Sequence, residues 1–501
     1  MRTVASSPIP AAHAEQPGDR PVEDADVSLR RQIVVGFLLV FFVFCASPNV
    51  DSGDGFSITP TAHSLLYEQN LELSEFRNTP WFDHHYGVAQ IEGRRQTYFP
   101  WLSAVFAVPT VALWDGLSVV GVTSNSSDQI DAGTVGTLQV VGGSLSGSLA
   151  AVVLALTTRR LFQLMGERAP DRKNSGRQVS NDLLSAESVF GRWSVTFWIV
   201  VLGLGTSLWS VASRSVGQHA PSVLLGGTAV LLLTSMIGQR PLPHRVLSGT
   251  ALGAVLALAY WERPTNLVLT LVAVAVIGVC RRRVLLPLLG GLAATHVMIL
   301  AANVALVGRA IPPYFAGGRV GWHDEYIEAM AANVISPGRG LVLFSPFLLG
   351  AILLALPSRS SLMPRDLRVY TLAAGSGALG YLLIVSGFEE SWWAGLSYGP
   401  RFMTESVVLL GPLALLGLFG PTRSRVLPDA AARAVAGLLI VASVVIHGGG
   451  AVSPEIDCWN ARHGDASDGV WSWSDPQALA APKAVVAPRD SVASSTGCVP
   501  T

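Results

Sequence analysis

Two aspartates, Asp51 and Asp54, stand three residues apart just beyond the first long apolar run of the chain. A carboxylate at a membrane surface can accept a proton from a hydroxyl as a general base, or hold a divalent metal that neutralises a phosphate. Asp, Ser and Gly are also the ordinary residues of a solvated turn. The pair is therefore a candidate for base or metal chemistry, with a plain turn as the alternative.

Two arginines stand at predicted breaks between apolar runs, where they could bind an anionic group. Arg263 lies between Glu262 and Pro264, and Arg401 follows a Gly-Pro pair. An Arg near bilayer depth costs about 2.5–3.5 kcal/mol on insertion scales, so it usually has a partner or a function. We predict that both bind phosphate. The alternatives are an ion pair with Glu262 or an interfacial anchor for Arg263, and extension to the head groups for Arg401.

Aromatic and acidic side chains alternate in the segment 388–401, where Glu389 is followed by Trp392, Trp393 and Tyr398. Aromatic rings can stack on the apolar faces of sugars, and a neighbouring carboxylate can bind sugar hydroxyls. Tryptophan and tyrosine also form belts at membrane interfaces. These four residues are candidates for sugar binding, with the interfacial belt as the alternative.

The histidines give weaker signals. His219 begins a predicted span and faces a site or the interface, and His84 and His85 share this ambiguity. His323, Asp324 and Glu325 form a polar cluster in the loop 308–337, which could bind a metal or be a solvated loop. The candidate ligands for a divalent metal are Asp51, Asp54 and Asp324. One histidine with two acids, and no second histidine at helical spacing, is a weak metal pattern, so the sequence requires no cofactor and leaves a metal open.

The composition fixes the class of protein that positions these residues. The 501 residues are 50% hydrophobic and 14% charged, whereas soluble chains carry about 25% charged residues. The formal net charge is +0, so no basic field attracts a nucleic acid. The sequence therefore predicts an all-α, polytopic membrane protein and excludes a soluble enzyme, a disordered chain and a nucleic-acid binder.

Apolar runs long enough to cross a bilayer recur along the chain, since a crossing needs roughly 20 helical residues. We predict eleven spans, at 32–49, 134–158, 193–213, 221–237, 246–261, 264–280, 284–307, 338–356, 369–387, 402–420 and 430–448. Placing the arginine-rich loops inside gives a cytoplasmic N-terminus and an extracytoplasmic C-terminus. Segment 98–114 is short and interrupted by two prolines, so we predict a re-entrant or interfacial helix there.

Three regions follow from this topology. Residues 1–30 are predicted to be a disordered cytoplasmic tail, 31–450 the transmembrane domain with a first outer loop at 50–133, and 451–501 an extracytoplasmic tail. Thr59 and Pro60 predict the start of an amphipathic helix at the outer interface. Cys458 and Cys498 both fall in the outer tail, where they can pair or stay free thiols.

Several segments together resemble the GT-C superfamily of polyprenyl-phosphate-dependent glycosyltransferases. The first span is followed by the acidic loop SPNVDSGDGFSITPTAHSLLYEQNLELSEF, and later segments read YWERPTNLVL, SPGRGLVLFSPFLLG and WWAGLSYGPRFMTE. The superfamily includes protein O-mannosyltransferases, lipid A aminoarabinose transferases and mycobacterial arabinofuranosyltransferases. The order of these segments and the topology carry the resemblance, which covers most of 32–450.

The resemblance implies a function. In that superfamily an acidic residue of the first outer loop is the catalytic base, which here makes Asp54 the first choice and Asp51 the second. The implied donor is a sugar on a polyprenyl phosphate, and the acceptor is an envelope glycan, a lipid or a protein. A multi-pass enzyme of the plasma membrane, surrounded by lipid, is expected. The alternative is a transporter or flippase of a lipid-linked sugar; the sequence shows no internal repeat of the kind that many transporters carry.

Overall fold

The computed structural model describes residues 20–50, 53–76, 85–123, 132–166, 194–237, 242–316, 318–421, 428–464 and 467–480. Most of these residues are helical. The α-helices are α1 Arg20–Ala46, α2 Ile58–His63, α3 Leu102–Val119, α4 Ala132–Gly166, α5 Val195–Leu204, α6 Ser207–Ser210, α7 His219–Ile237, α8 Leu242–Glu262, α9 Leu267–Cys280, α10 Leu285–Leu306, α11 Tyr326–Ile335, α12 Leu341–Phe344, α13 Pro357–Ser360, α14 Arg365–Ser386, α15 Val407–Phe419, α16 Asp429–Val452 and α17 Glu455–His463. The predicted all-α, polytopic class is confirmed.

Short 3-10 helices and one π-helix connect these α-helices. Those of the 3-10 type are Ser74–Phe76, Ala212–Arg214, Pro264–Asn266, Arg282–Val284, Pro313–Phe315, Pro346–Ala355, Arg401–Ser406, Asp468–Trp471 and Gln477–Leu479, and a π-helix covers Ser64–Glu68. Two strands, β1 Val88–Ile91 and β2 Arg94–Thr97, complete the described elements. Such turns lie where the chain bends near helix ends.

Eight helices of the described chain are long and apolar enough to cross a membrane, or nine if the bent pair α5–α6 is one span. That pair bends by 54° at its break. The predicted count of eleven is therefore not confirmed. Predicted span 338–356 is divided by Ser345 and Pro346, and α8 carries Arg245 and Glu262 near its ends. Segment 98–114 lies largely in α3, which is one of the eight helices, so it is long enough to cross.

Glycines allow the membrane helices to pack closely. A Cβ atom on Gly253 of α8 would lie 2.0 Å from the carbonyl oxygen of Leu288, and one on Gly291 of α10 would lie 2.1 Å from that of Thr250. Close backbone approach at small residues is the usual way in which membrane helices associate. These contacts hold α8, whose last residues reach the candidate site, against α10.

The described parts of the loop 50–133 are folded, and residues 55–62 are buried. Helix α2 is short, and a π-helical turn follows it, so the amphipathic helix predicted from Thr59 and Pro60 is shorter than expected. Strands β1 and β2 pair antiparallel through a tight turn in which Glu92 and Gly93 have positive φ angles of 50° and 76°. The Ser57 hydroxyl lies 2.8 Å from that of Thr97, which ties α2 to the hairpin.

Arg214 fixes the point at which the chain leaves α1. Its guanidinium is buried and donates to the carbonyl oxygens of Phe44, Ser47 at 2.7 Å and Asn49 at 3.3 Å. The last carbonyls of a helix lack partners within the helix. One side chain therefore satisfies the end of α1 and orients the loop that carries Asp54.

Residues 453–480, the C-terminal tail, fold against the loops that precede them. Trp459 of α17 is fully buried, and its indole N–H donates to the Asp475 carbonyl at 2.7 Å. Cys458 is disulfide-bonded, whereas Cys45 and Cys280 are free thiols. Cys498, its predicted partner, lies outside the described residues.

Candidate active site

Asp54 lies in the loop after α1 and is held by two side chains. Its Oδ2 accepts a hydrogen bond from Nη2 of Arg401 at 2.5 Å, and its Oδ1 accepts from the Tyr86 hydroxyl at 2.9 Å. Burial raises the pKa of Asp54, but the Arg401 guanidinium and the Tyr86 hydroxyl outweigh it, so the pKa is lowered overall. Asp54 is therefore a carboxylate at neutral pH. It keeps 27% side-chain exposure, so a substrate can reach it.

A buried charge network lies behind this pair. The His219 Nδ1 lies 3.0 Å from Oε1 of Glu405, and Nη1 of Arg263 donates to the same oxygen at 3.2 Å. Arg401 Nε donates to His219 Nε2 at 3.3 Å. Nη1 of Arg263 also lies 2.7 Å from His219 Nδ1 and 2.8 Å from Nε2, so this guanidinium contacts the imidazole as well as the carboxylate. His219 thus joins the Asp54–Arg401 pair to the Arg263–Glu405 pair.

Breaks between helices bring these side chains together. Arg263 has an extended backbone with φ −153°, and Pro264 follows it at the start of a 3-10 turn. A proline disfavours helical conformation in the residue before it, so α8 ends here. Arg401 and Glu405 lie on the 3-10 helix that precedes α15, and His219 is the first residue of α7. Four segments far apart in sequence therefore contribute to one site.

Three buried polar atoms near this network have no hydrogen-bond partner among the described residues. They are Oε2 of Glu262, Oε2 of Glu405 and Nε2 of Gln218. The other oxygen of Glu262 accepts from the Ser103 hydroxyl. A buried polar atom that lacks a partner costs free energy, and water or a ligand hydroxyl usually satisfies it.

Aromatic rings form one wall beside Asp54. The Tyr86 ring meets Phe99 edge-on at 6.0 Å, and Phe99 and Tyr98 each lie within 6.0 Å of Tyr314. The Arg319 guanidinium lies over Tyr98 at 5.1 Å and over Tyr314 at 5.7 Å. Burial raises the pKa of Tyr314 to about 12, so its phenol stays protonated and donates to Gln218 at 2.7 Å. We call these four aromatic residues the tyrosine wall.

An apolar pocket adjoins the tyrosine wall. Its volume is only about 20 Å³, and Trp101, Trp261 and Phe315 line it together with Tyr98 and Phe99 of the wall. A cavity of this volume holds about one water molecule. The pocket and Asp54 therefore share one boundary.

The aromatic residues predicted to bind sugar lie elsewhere. Trp392 is 0% exposed, and its indole N–H donates to Glu325 at 2.7 Å. Trp393 donates to the Gly464 carbonyl at 3.2 Å, and the buried Tyr398 hydroxyl donates to a carbonyl of α16 at 2.7 Å. The tail covers this segment, so the Trp392 and Tyr398 rings have no open face for a sugar. The structure gives no support for sugar contacts there.

The other predicted binding residues also lie away from Asp54. Glu389 is exposed on the loop after α14, and Asp324 is exposed beside His323. The His323 Nε2 lies 2.8 Å from the Ser386 carbonyl at the end of α14, a helix-capping contact. No group of three His, Cys, Asp or Glu side chains that could hold a metal is found in the part of the chain that the structure describes. Because Arg401 and Tyr86 occupy both oxygens of Asp54, these residues do not fit a metal site.

Two candidates fall outside the described residues, namely Asp51 and His84. His85 is described: its ring stacks between Phe56 at 4.6 Å and Tyr86 at 4.7 Å. This contact supports the ring whose hydroxyl binds Asp54.

Sequence reasoning missed several side chains of the site. Glu405 lies four residues after Arg401 in a quoted segment, so helical spacing could have placed both on one side of a turn. Tyr86 and Tyr314 lie in irregular segments of the outer loops and have no local pattern that points to Asp54. Long-range folding alone brings them there.

Comparison with known proteins gives a likeness of fold. No family model matches the chain, and no curated protein matches it significantly. A crystal structure of ArnT from Cupriavidus metallidurans bound to undecaprenyl phosphate is similar, with 16% identity and a TM-score of 0.46 over 91% of this chain and 76% of that chain. The same protein in the apo state gives 15% identity and a TM-score of 0.43 over 92% and 77%.

Proposed function

We propose that this chain is a membrane glycosyltransferase that moves a sugar from a polyprenyl-phosphate donor to an acceptor hydroxyl at the extracytoplasmic face. The carrying observation is the Asp54–Arg401 pair, a partly exposed carboxylate and guanidinium backed by the buried Arg263–His219–Glu405 network. The pair offers a base for the acceptor and a cation for the donor phosphate. This assignment rests on the site and on the GT-C resemblance of the sequence.

The proposed reaction exchanges one bond for another at the anomeric carbon. The acceptor oxygen attacks that carbon while its proton passes to an oxygen of Asp54, which contributes roughly 10²–10⁴-fold to the rate. The bond between the anomeric carbon and the phosphate oxygen breaks, and its electron pair leaves with the lipid phosphate. Attack opposite the leaving group inverts the anomeric centre.

Arg401 has two successive partners in this proposal. In the resting site it binds Asp54 and lowers its pKa, which weakens Asp54 as a base. A donor phosphate competes for the planar fork of the guanidinium. When Arg401 turns to the phosphate, Asp54 loses its counter-ion and becomes a stronger base. Binding of the donor thus activates the base.

The buried network places a second guanidinium, that of Arg263, behind the Asp54–Arg401 pair. Glu405 neutralises one guanidinium, and Asp54 neutralises the other only until the phosphate arrives. Charges fixed in advance, away from water, stabilise a developing phosphate charge without reorganisation. Arg263 is thus well placed to stabilise the leaving group from the buried side.

The surroundings of Asp54 suit the lipid half of such a donor. The rings of the tyrosine wall offer an apolar surface for isoprenoid carbons next to the phosphate. We place this face outside the cytoplasm, and the disulfide at Cys458 fits that side because disulfides persist in oxidising compartments.

Transfer by the purified protein tests the proposal. The wild-type chain in nanodiscs receives radiolabelled pentoses and hexoses on undecaprenyl phosphate, with glycan, lipid and peptide acceptors. We expect labelled product from the wild type and from Asp115→Asn, but not from Asp54→Asn. Asp115 is a matched control because it accepts a hydrogen bond from a tyrosine hydroxyl, that of Tyr67 at 2.8 Å, as Asp54 does from Tyr86.

The transporter alternative predicts another result. A flippase would move the intact labelled lipid across a sealed vesicle without breaking the bond to phosphate. Transport without product, unchanged in Asp54→Asn, would replace the proposed function.

A further inference from the structure

The segment leading to Arg401 has an irregular backbone. Ala394, Gly395 and Gly399 have φ angles of 63°, 56° and 58°, in the left-handed region. Of these three only Ala394 pays a cost there, about 1–2 kcal/mol, because glycine enters this region freely. The segment forms no helix or strand in the described chain, and two buried side chains bond its backbone groups instead.

Arg339 is the first support. Its guanidinium donates to the carbonyl oxygens of Trp393 and, at 2.7 Å, of Gly395, and lies 5.5 Å from the centre of the Trp459 ring. Arg339 also donates to Oε1 of Gln477 at 2.7 Å. The tail therefore contacts this support from two sides.

Gln477 of the tail is the second support. Its side chain is fully buried, and Oε1 accepts from the Gly399 N–H at 2.8 Å as well as from Arg339. Its Nε2 donates to the Ser397 carbonyl and to Asn460 Oδ1, both at 2.9 Å. All four hydrogen-bonding positions of the amide are filled.

Gly399 links Gln477 to Arg401. Its carbonyl accepts from the Arg401 N–H at 2.8 Å, so both sides of this glycine are bonded. A Cβ on Gly399 would lie 2.7 Å from the Phe344 ring, which restricts this position to glycine. Two residues later the Arg401 side chain reaches Asp54 and His219.

We infer that Gln477 is a positioning residue for Arg401, and that the C-terminal tail thereby completes the phosphate-binding site. The inference rests on the proposed function, because it assigns Arg401 to the donor phosphate. Gln477 touches neither the phosphate nor Asp54 in this arrangement. It acts through the Gly399 peptide, which sets the direction in which Arg401 leaves the backbone.

The test measures undecaprenyl phosphate binding and the pH profile of transfer. Gln477→Met keeps the side-chain length and removes the amide. Because one well-placed hydrogen bond is worth a few-fold to tenfold, we expect the Kd for undecaprenyl phosphate to rise about 3–10-fold. The acidic limb of kcat/KM should also move to higher pH, since a displaced Arg401 no longer holds the pKa of Asp54 down. A purely structural role would leave that limb in place.

Gln477→Glu is the conservative variant. It keeps oxygens that can accept from Gly399 and Arg339 but loses the donor to the Ser397 carbonyl, so it should recover part of the binding that Gln477→Met loses. Asp475→Asn is the matched control within the tail, because the Asp475 carboxylate contacts Arg462 at 3.0 Å and His463 at 3.2 Å. It should bind as the wild type does.

Labelling of Cys458 after brief mild reduction shows whether the tail is folded in each variant. Cys458 is 5% exposed, so a folded tail shields its disulfide from the reductant and keeps Cys458 protected from iodoacetamide, as read by peptide mass spectrometry. If Gln477→Met exposes Cys458, Gln477→Asn decides instead, because it keeps an amide in the tail but is one methylene too short to reach Gly399. Gln477→Asn should also weaken binding.

The outcomes separate this inference from the proposed function. A wild-type chain that neither binds undecaprenyl phosphate nor transfers sugar would remove the proposed function. The other outcome is a wild type that does both, while Gln477→Met and Gln477→Asn keep Cys458 protected and show the wild-type Kd and pH profile. That outcome would overturn the role of Gln477 and leave the proposed function standing.

Discussion

The site contains two carboxylate–arginine pairs that differ in their access to water. Asp54 and Arg401 keep 27% and 11% of their side chains exposed, whereas Glu405 and Arg263 keep 1% and 6%. An exposed pair can exchange partners with a substrate at small cost, but a buried ion that loses its partner pays a large desolvation penalty. The Asp54–Arg401 pair can therefore exchange partners with a substrate, whereas the Glu405–Arg263 pair stays fixed and supports it.

Removing the buried carboxylate should have the largest effect on the fold. Glu405→Gln leaves the Arg263 guanidinium buried without its counter-charge, which costs about 3–5 kcal/mol for such pairs. We expect a clearly lower Tm in nanodiscs and loss of transfer. Glu92→Gln is the control, because its pair with Arg309 is 47% exposed on both sides and should contribute less than about 1 kcal/mol. Equal stability of the two variants would contradict the buried role of Glu405.

Removing the exposed carboxylate should leave the fold intact and stop the chemistry. Asp54→Asn should lower turnover by about 10²-fold or more, because the amide cannot accept the proton. Its Tm should stay near that of the wild type, in contrast to Glu405→Gln. Asp51→Asn should lower turnover less. Near-normal transfer by both aspartate variants at matched protein levels would show that this loop does not supply the base.

Changing Arg401 should weaken binding of undecaprenyl phosphate more than it slows catalysis. Arg401→Lys keeps the charge but loses the planar fork that bonds phosphate with two N–H groups. We expect the Kd for undecaprenyl phosphate to rise about 10-fold, with a smaller change in kcat. Arg309→Lys, in the exposed Arg309–Glu92 ion pair, should bind undecaprenyl phosphate as the wild type does. Unchanged binding by Arg401→Lys would assign the phosphate to another residue.

The smallest effect concerns the pH at which Asp54 protonates. Because its pKa is lowered from the ordinary 3.8, Asp54 stays ionised until the pH falls through that lowered value. The acidic limb of kcat/KM, which reports the free enzyme, should therefore lie below 3.8. Tyr86→Phe removes one hydrogen bond to the carboxylate and should move the limb upward. Tyr67→Phe, beside Asp115, should leave the acidic limb in place. If Tyr86→Phe does not move the limb either, a group other than Asp54 produces it.

Local patterns singled out the cationic residues that the structure brings together at the candidate site, but they missed Glu405. Arg263 and Arg401 stand beside prolines that break helices, and His219 opens a helix, so each was singled out from its immediate neighbours. The structure brings these three side chains to Asp54. The apolar runs also predicted most of the long helices, because burial in lipid requires an unbroken hydrophobic stretch.

The aromatic parts of the site could not be predicted in this way. The indole of Trp392 looks available in the sequence, but the tail returns from far along the chain and buries it beside α11. Tyr86 reaches Asp54 because the first outer loop folds back on itself. Contacts of this kind join residues that no short window contains. The predicted number of spans is not confirmed for a related reason, since bends and prolines divide apolar runs that hydropathy alone treats as continuous.

The bond between Arg214 and the end of α1 has a mechanical consequence. Only 17% of the most apolar 18 residues of α1 are buried in the protein, so lipid contacts most of this helix. A change in bilayer thickness would therefore change the tilt of α1. Arg214 lies in the 3-10 turn after α6, and its hydrogen bonds hold the end of α1 next to Asp54 in place. Tilt must then displace the opposite end of α1, and the depth of Asp54 in the membrane stays constant while the bilayer changes thickness.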